Sequence, residues 1–368
     1  MKIGLMYGMT TYPPSTGGTI HGYQLVKQLA ALGHEVVTCF YDHGPHPDLG
    51  QLRARQIGRF LRSIDVLYIR AEWQTTSVEL SLLRLLRLRR LPVVWEFNGT
   101  SDELRYQGTD AAEIVRINRR LRRWSRLCDG AVAVTQDVAD YVRREVGVAD
   151  VCVVPNGSDP ELFGPAPVKS ATRDTPLEVV WIGTSTAGWH DLATLLDAAR
   201  RLHADGANVV FSIYGDPRAL PADLPANVRA AGVVPYAQLG AAMREADVGV
   251  HLFRHDPAMP TVLGSPLKVF DYMATGLAVI TNCDGQQSDI IATWNCGLKC
   301  DGSAADLART IAGLARDRAS CDDMGRNGRR AVERQFNWAR VGAQTEAFLE
   351  RLCSGARVGA PSREPQIK

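Results

Sequence analysis

The feature that most constrains this chain is an alternation. Short apolar runs and stretches of helical periodicity follow one another from end to end, and the rhythm breaks once. KIGLMY (2–7), EVVTCF (35–40), DVLYIR (65–70), LPVVWEF (91–97), GAVAVT (130–135) and VCVVP (151–155) read as strands. Between the first two, residues 19–32 place Tyr23, Leu25, Val26, Leu29 and Leu32 mostly at i, i+3, i+4 spacing. That predicts an amphipathic helix, stopped by Gly33. Segments near 76–90, 111–127 and 136–146 have the same character. Apolar strands alternating with helices predict a parallel sheet covered on both faces.

The break is PNGSDPELFGPAPVKSATRDTP (155–176), rich in Pro, Gly, Ser and Asp. Such a stretch reads as a linker. We place a first domain at 1–160 and the linker proper at 161–176. Alternation then restarts through LEVVWIG (177–183), a helix at 191–204, NVVFSIYG (208–215), a short helix near 236–245 and DVGVHLF (247–253). A helix at 266–275, LAVITN (277–282) and helices near 304–316, 322–335 and 339–353 complete it. A second domain at 177–335, a last helix at 336–354 and a flexible tail at 355–368 follow. The expected fold class is α/β, two doubly wound Rossmann-like domains facing a central cleft. A chain of 368 residues suits two domains, and 45% apolar with 22% charged residues suits a folded core.

Several classes are excluded. No apolar run approaches the roughly 20 residues that span a bilayer. MKIGLMYGMTTYPP reads as a first strand, not a signal peptide. The expected location is therefore cytoplasmic. A net charge of +2 argues against nucleic acid as the main partner. The eight cysteines form no C-x-x-C. Cys296 and Cys300 are the only close pair, so buried reduced thiols are expected rather than a zinc site.

Open parallel sheets bind ligands outside the carboxyl ends of their strands. Four turns of that kind carry polar residues. PPSTGGTIHG (13–22) places Gly17 and Gly18 between a strand and a helix, as a ligand approach or a plain tight turn. WEFNGTSDE (95–103) ends a strand in Glu96, Asn98, Asp102 and Glu103, as substrate contacts or as a helix cap at Ser101 or Asp102. WIGTSTAGWHD (181–191) offers Gly183, three hydroxyls and His190, a cradle for phosphate oxygens, unless His190 simply faces solvent. In MPTVLGSPLKVFDYMATGLAVI (259–280), Gly264 and Ser265 precede a helix with Pro266 in its first turn. Lys268 and Asp271 there lie at i and i+3. A Lys inside an anion-accepting helix start suits a diphosphate, and a carboxylate one turn on suits a ribose. The alternative is a surface salt bridge.

Residues 51–126 hold 16 Arg and no Lys against 8 acidic residues. LLRLLRLRRL (82–91) and RINRRLRRWSRL (116–127) are the densest parts. This Arg-rich 82–127 region fits peripheral contact with an anionic membrane, or an ordinary solvated helix face. No stacking aromatics alternate with the basic residues, which argues against nucleic acid.

Taken in order, these pieces resemble family-4 glycosyltransferases of the GT-B fold. SPLKVFDYMATGLAVI is similar to the family's P-x-K-x-x-E-Y-M-A-x-G-x-P-V-I stretch, and VVPNGSDPELF to its interdomain V-x-P-N-G-x-D-x-x-x-F. PPSTGGTIHGYQLVKQLAALGHEV, VVWIGTSTAGWHDLATLLDAARRL, VVPYAQLGAAMREADVGVHLF and FNWARVGAQTEAFLERL resemble further family segments. The last of these corresponds to a helix that crosses back to the first domain. The resemblance covers about 1–353.

It implies transfer of a sugar from a nucleotide-diphosphate sugar to an acceptor hydroxyl, with retention, in glycan, glycolipid or natural-product biosynthesis. The acceptor would be a glycan, a lipid-linked glycan or a small molecule. By resemblance, Lys268 neutralises the diphosphate and Asp271 holds the ribose. Gly264, Ser265, Gly183, Thr184 and His190 line the phosphates, Val234 and Pro235 the base, and Gly17 and Gly18 the donor side. His21, Glu96 and Asn98 meet the acceptor, with Glu96, Asn98 and Lys268 as the catalytic set. No cofactor and no metal are expected, because N–H dipoles and one Lys can stabilise a leaving diphosphate. Three family positions differ. Thr184 and Trp189 stand where an Arg and a Lys are frequent, Asn98 replaces a His, and the E-x7-E pair reads Leu263 and Asp271. A GT-B chain that has lost catalysis and serves a partner enzyme, or a nucleotide-sugar epimerase, are the alternatives.

Overall fold

The computed structural model describes residues 1–6, 14–39, 61–70, 91–164, 175–255 and 264–355. Two six-stranded sheets, parallel throughout, form its frame. The first holds β1 (Lys2–Met6), β2 (Glu35–Cys39), β3 (Val66–Arg70), β4 (Val93–Phe97), β5 (Gly130–Ala133) and β6 (Val151–Val153), in the order β2-β1-β3-β4-β5-β6. The second holds β7 (Leu177–Ile182), β8 (Val209–Tyr214), β9 (Val228–Ala230), β10 (Val248–His251), β11 (Ala278–Thr281) and β12 (Gly297–Lys299), in the order β12-β11-β10-β7-β8-β9. Each order reverses direction beside its first strand, between β1 and β3 and between β7 and β10. Crevices at such points bind ligands in doubly wound folds.

The central strands are apolar on both faces because helices cover both. In the second domain α4 (Leu192–Ala204) and α8 (Ala304–Arg316) pack on one side through Leu195, Leu202, Leu307 and Ile311. On the other, α6 (Leu267–Thr275) and α9 (Arg318–Arg334) bury Phe270, Met273 and Val332. In the first domain α1 (Gly17–Ala31) lies on Ile3, Leu5, Val66 and Val94. On the opposite face of that sheet, α2 (Ala111–Trp124) and α3 (Gln136–Tyr141) contribute Ile117, Leu121 and Val138 to the core. A 3-10 turn (Ser125–Leu127) prolongs α2, and a π-turn (Val142–Val146) prolongs α3.

The last helix, α10 (Trp338–Cys353), packs against α1 and the first sheet. Its Trp338, Val341, Phe348 and Leu349 join that core. His34 Nε2 meets Glu346 at 2.7 Å, and Arg351 grips Asp150 with two bonds of 2.8 Å. Where the chain crosses between domains, the two crossings pair. Ser158 N–H donates to Phe336 O at 3.0 Å, and Trp338 N–H to Ser158 O at 3.3 Å. Gly157 permits this approach, since a Cβ there would lie 2.9 Å from Phe336 O and from Asn337 C.

Several elements escape the periodic reading. α5 (Tyr236–Met243) is expected, but α7 (Gln286–Trp294) is not, because it opens on the polar Gln286-Gln287-Ser288-Asp289. β9 and β12 are three residues each, too short for periodicity to register. Pro266 stands at the N-cap of α6 rather than inside its first turn. Thr100, not Ser101 or Asp102, caps the 3-10 helix Ser101–Gln107. Cys353 is exposed and Cys128 and Cys152 are half-buried, against an expectation of burial. The helix near 76–90, the middle of the linker and the tail fall outside the described residues. Among those residues, no helix is long and apolar enough to cross a membrane, and no cluster of three His, Cys, Asp or Glu could hold a metal.

Candidate active site

The second-domain half is built around α6, every residue of which is buried. Ile182 N–H, at the end of β7, donates to Tyr272 Oη at 2.9 Å, which fixes the helix beside the β7–β10 crevice. Lys268, the second residue of α6, is only 9% exposed. Its ammonium lies 4.5 Å over the Trp181 ring. Gly183, with φ of +153°, turns the chain away from it, and a Cβ there would stand 2.6 Å from Nζ. The glycine is what lets a buried cation and a backbone loop share this space.

His190 closes the other side. Its Nε2 is 3.4 Å from Lys268 Nζ, and its ring packs edge-on against Trp181 and Trp189 and beside Phe253. Burial, the Lys268 charge and the neighbouring His251 push this imidazole down to about 2. It is therefore neutral, with Nε2 accepting from Lys268 and the ring proton on Nδ1. Fully buried His251 is driven down for the same reasons, burial first and Lys268 second. Burial lowers Lys268 itself to about 7. Among the described residues no carboxylate pairs with it. The i,i+3 salt bridge with Asp271 does not form, and His190 does not face solvent.

Asp271 points elsewhere. It is 2% exposed, and its Oδ1 accepts from Ser158 Oγ at 2.6 Å and Tyr236 Oη at 3.4 Å. Burial, opposed by those two hydroxyls, raises it to about 7. Val234 and Pro235 lie just before α5, half-buried and exposed respectively, and Thr184 is exposed.

The first-domain half is a satisfied network. Glu96, at the end of β4, is 1% exposed. Its carboxylate accepts from Tyr68 Oη at 2.6 Å, from His21 Nε2 at 3.0 Å and from the Asn98 amide. Burial alone would raise this carboxyl. The His21 ring, Arg70 and Tyr68 outweigh burial and hold it far below the usual range. Glu96 is thus enclosed. The half-buried Asn98 is the least enclosed member of this group, and a Cβ on Gly264 of the second domain would lie 3.1 Å from its backbone O. Gly17 and Gly18 open α1, where Gly18 O accepts from Arg70 at 3.2 Å.

The two halves are joined by a relay. His21 Nδ1 meets Asn156 Oδ1 at 2.5 Å, and Asn156 Nδ2 donates to Ser265 O at 2.5 Å. Ser265 Oγ donates to Gln286 Oε1 at 2.7 Å, and Gln286 Nε2 to Val134 O at 2.8 Å. Gln287 Nε2 reaches Gly264 O at 2.7 Å. Ser265 is thereby a clasp between domains. Arg70, Asn156, Ser158, Tyr236 and Gln286 belong to the site and were not singled out from the sequence. Only Asn156 carried a signal, inside the P-N-G turn.

Two sequence profiles match in tandem. Residues 15–162 match Glycosyltransferase Family 4, and residues 176–317 match Glycosyl transferases group 1. The chain belongs to the family-4, group-1 glycosyltransferases. Its fold agrees with theirs. Sucrose-phosphate synthase from Thermosynechococcus elongatus superposes with a TM-score of 0.69 at 17% identity, over 97% of this glycosyltransferase and 100% of that chain. HepE from Anabaena, solved with UDP and glucose, gives 0.71 at 15% identity, over 95% and 99%. WaaG, a glycosyltransferase of lipopolysaccharide biosynthesis, gives 0.66 at 13% identity, over 96% and 100%. These are GT-B proteins, and the two facing Rossmann-like domains of this glycosyltransferase are the same architecture. No curated protein sequence matches it.

Proposed function

We propose that this glycosyltransferase moves a hexosyl group from a nucleoside-diphosphate sugar to an acceptor hydroxyl, with retention at the anomeric carbon and without a divalent metal. One observation carries the reading. Lys268 is a buried cation beside a neutral histidine, over an indole face, with no anion among the described residues. A buried charge lacks stability until a partner arrives. A diphosphate at the start of α6 supplies that partner, aided by the helix N-terminus and the turn at Gly183 and Thr184. As the leaving group departs, Lys268 and fixed N–H groups meet the charge that develops.

In this reading Gly264 and Ser265 line the diphosphate, His190 positions Lys268, and Val234 and Pro235 flank the base. Asp271 offers Oδ2 to the ribose, its Oδ1 being occupied. Gly17 and Gly18 border the donor. Asn98 orients the acceptor hydroxyl, while Glu96 and His21 hold Asn98 in place. Retention follows if the acceptor attacks from the side the diphosphate leaves and passes its proton to a phosphate oxygen. The exposed Arg116, Arg119, Arg120, Arg122 and Arg123 of α2 fit peripheral docking at the cytoplasmic face of an anionic membrane, next to a lipid-linked acceptor.

The test is thermal unfolding with UDP, GDP, ADP and dTDP and their glucose esters, in EDTA. UDP-glucose comes first because HepE was solved with UDP and glucose. One nucleotide should raise the unfolding midpoint, as any ligand of the native state must. Lys268→Ala should abolish the shift. No shift with any nucleotide, or an undiminished shift in the variant, would sink the reading. Flotation with anionic and neutral vesicles checks the membrane element.

A further inference from the structure

One carboxylate at the cleft has no part in the donor or acceptor contacts above. Glu103 lies three residues into the turn that follows Thr100, at the start of the 3-10 helix Ser101–Gln107. That helix belongs to the first domain but lies against the second. Tyr106 Oη donates to Arg254 O at 3.4 Å, and a Cβ on Gly188 would come within 3.2 Å of Tyr106 O. Gly188 lies two residues before His190, and Arg254 directly follows Phe253, which pairs with His190.

Within this contact the carboxylate of Glu103 sits between two glycines. A Cβ on Gly99 would collide with it, 2.7 Å from Oε2. A Cβ on Gly264, the residue that precedes Ser265 and α6, would lie 3.9 Å from Oε1. Oε1 accepts the Thr100 N–H at 3.2 Å. Oε2 accepts no hydrogen bond, and no cation pairs with the group, among the described residues. Burial lifts this carboxyl to about 7, against the pull of the Thr100 N–H and with a push from Asp102. Half-buried, with one oxygen engaged, it is suited to hydroxyl donors, which bond strongly to a carboxylate without bringing a charge of their own.

We propose that Glu103 binds hydroxyls of the transferred sugar, so that the first domain supplies a specificity-determining carboxylate to a donor whose diphosphate rests on the second. This rests on the glycosyltransfer reading. The reason is position. Lys268 holds the diphosphate at the start of α6, and Gly264 lies just before that start. A sugar on the terminal phosphate fills the space between Gly264 and the facing domain, beside the Glu103 carboxylate. The second-domain pattern has Leu263 at the position where the family has a carboxylate. Glu103 reaches the adjoining residue from the opposite side.

The competing role is a helix cap. Glu103→Gln separates the two, because a glutamine in this position still accepts the cap hydrogen bond. We expect the variant to unfold at the parent temperature and to bind the nucleoside diphosphate as the parent does. Its affinity for the matching nucleotide-glucose should fall about tenfold, the size of a lost hydrogen bond to a charged group. In the parent protein, a deoxyglucose ester lacking the hydroxyl that Glu103 binds should lose the same factor. That loss should not add to the variant's. Equal affinities in parent and variant, or an equal drop for the diphosphate and its sugar ester, would overturn the assignment. So would an unchanged donor affinity with a raised KM for the acceptor. Failure of the parent to bind any nucleoside diphosphate would overturn the glycosyltransfer reading itself, and this one with it.

Discussion

Each domain buries a charge at the carboxyl end of its sheet, and the two are handled in opposite ways. Glu96 is 1% exposed and has Tyr68, His21 and Asn98 as hydrogen-bond donors, with Arg70 near enough to stabilise it. Lys268 is 9% exposed and has a neutral histidine, an indole face and no counter-ion among the described residues. Burial disfavours both charges. In the first domain the partners win, and Glu96 is held ionised. In the second they do not, and Lys268 falls to about 7. A satisfied buried charge stabilises the fold around it. An unsatisfied one marks where a ligand completes the electrostatics. By that criterion the first-domain group is structural, and the second-domain group is the one that the proposed donor would complete.

The largest effect should come from breaking the satisfied side. Glu96→Leu leaves His21 Nε2, the Tyr68 hydroxyl and the Asn98 amide without their acceptor. Removing one member of a buried charge network costs roughly 3 to 5 kcal/mol. Denaturant unfolding should show that loss. If Glu96→Leu costs under about 1 kcal/mol, the network is not what stabilises the first domain, and the contrast fails.

Lys268→Met tests the other side. Methionine keeps much of the buried stem and removes the charge. Replacing an unpaired buried cation with an apolar side chain should leave stability unchanged or raise it. Diphosphate affinity should fall about a hundredfold, roughly 2.7 kcal/mol. A variant destabilised as strongly as Glu96→Leu would show that Lys268 is structural, and the distinction between the two charges would go with it.

How much of this was open to a reader of the sequence follows the same division. The two sheets come through clearly, because strands buried on both faces are written as continuous apolar runs such as VVWEF and LEVVWI. The residues that gather around Lys268 come through too. Gly183, His190 and Lys268 sit in turns after strands or at a helix start, and local chemistry there is short-range. What does not come through is long-range polar pairing. Glu96 lies 75 positions from His21, and Asn156 lies 109 from Ser265. Nothing local in TIHGY or PNGSD announces a partner so far along the chain. Gln286 is harder still, since α7 has no strong apolar stripe at its start and its first residues look like a loop. Asp271 shows the limit from the other direction. Its place in the motif is plain, but its two hydroxyl partners, Ser158 and Tyr236, come from separate segments.

The smallest effect is also the one that isolates the Lys268 charge from its bulk. In the free protein Lys268 titrates near 7. A bound diphosphate favours the charged form and moves that value up. Above pH 7 the free protein sheds the proton while the complex keeps it, so binding takes up a proton and affinity falls as pH rises. Between pH 7 and pH 8 the dissociation constant should rise about fivefold, or roughly 1 kcal/mol. Above pH 7 the terminal phosphate is already ionised, which removes the ligand's own titration from the window. His190, at about 2, contributes nothing there. Asp271 and Glu103 do titrate near 7, and their growing negative charge would also weaken an anion. Lys268→Arg separates the sources, because a guanidinium stays charged throughout. Its affinity should be nearly flat from pH 7 to pH 8. An Arg variant as steep as the parent would assign the slope to the carboxyls, and the counter-ion at α6 would no longer explain the site.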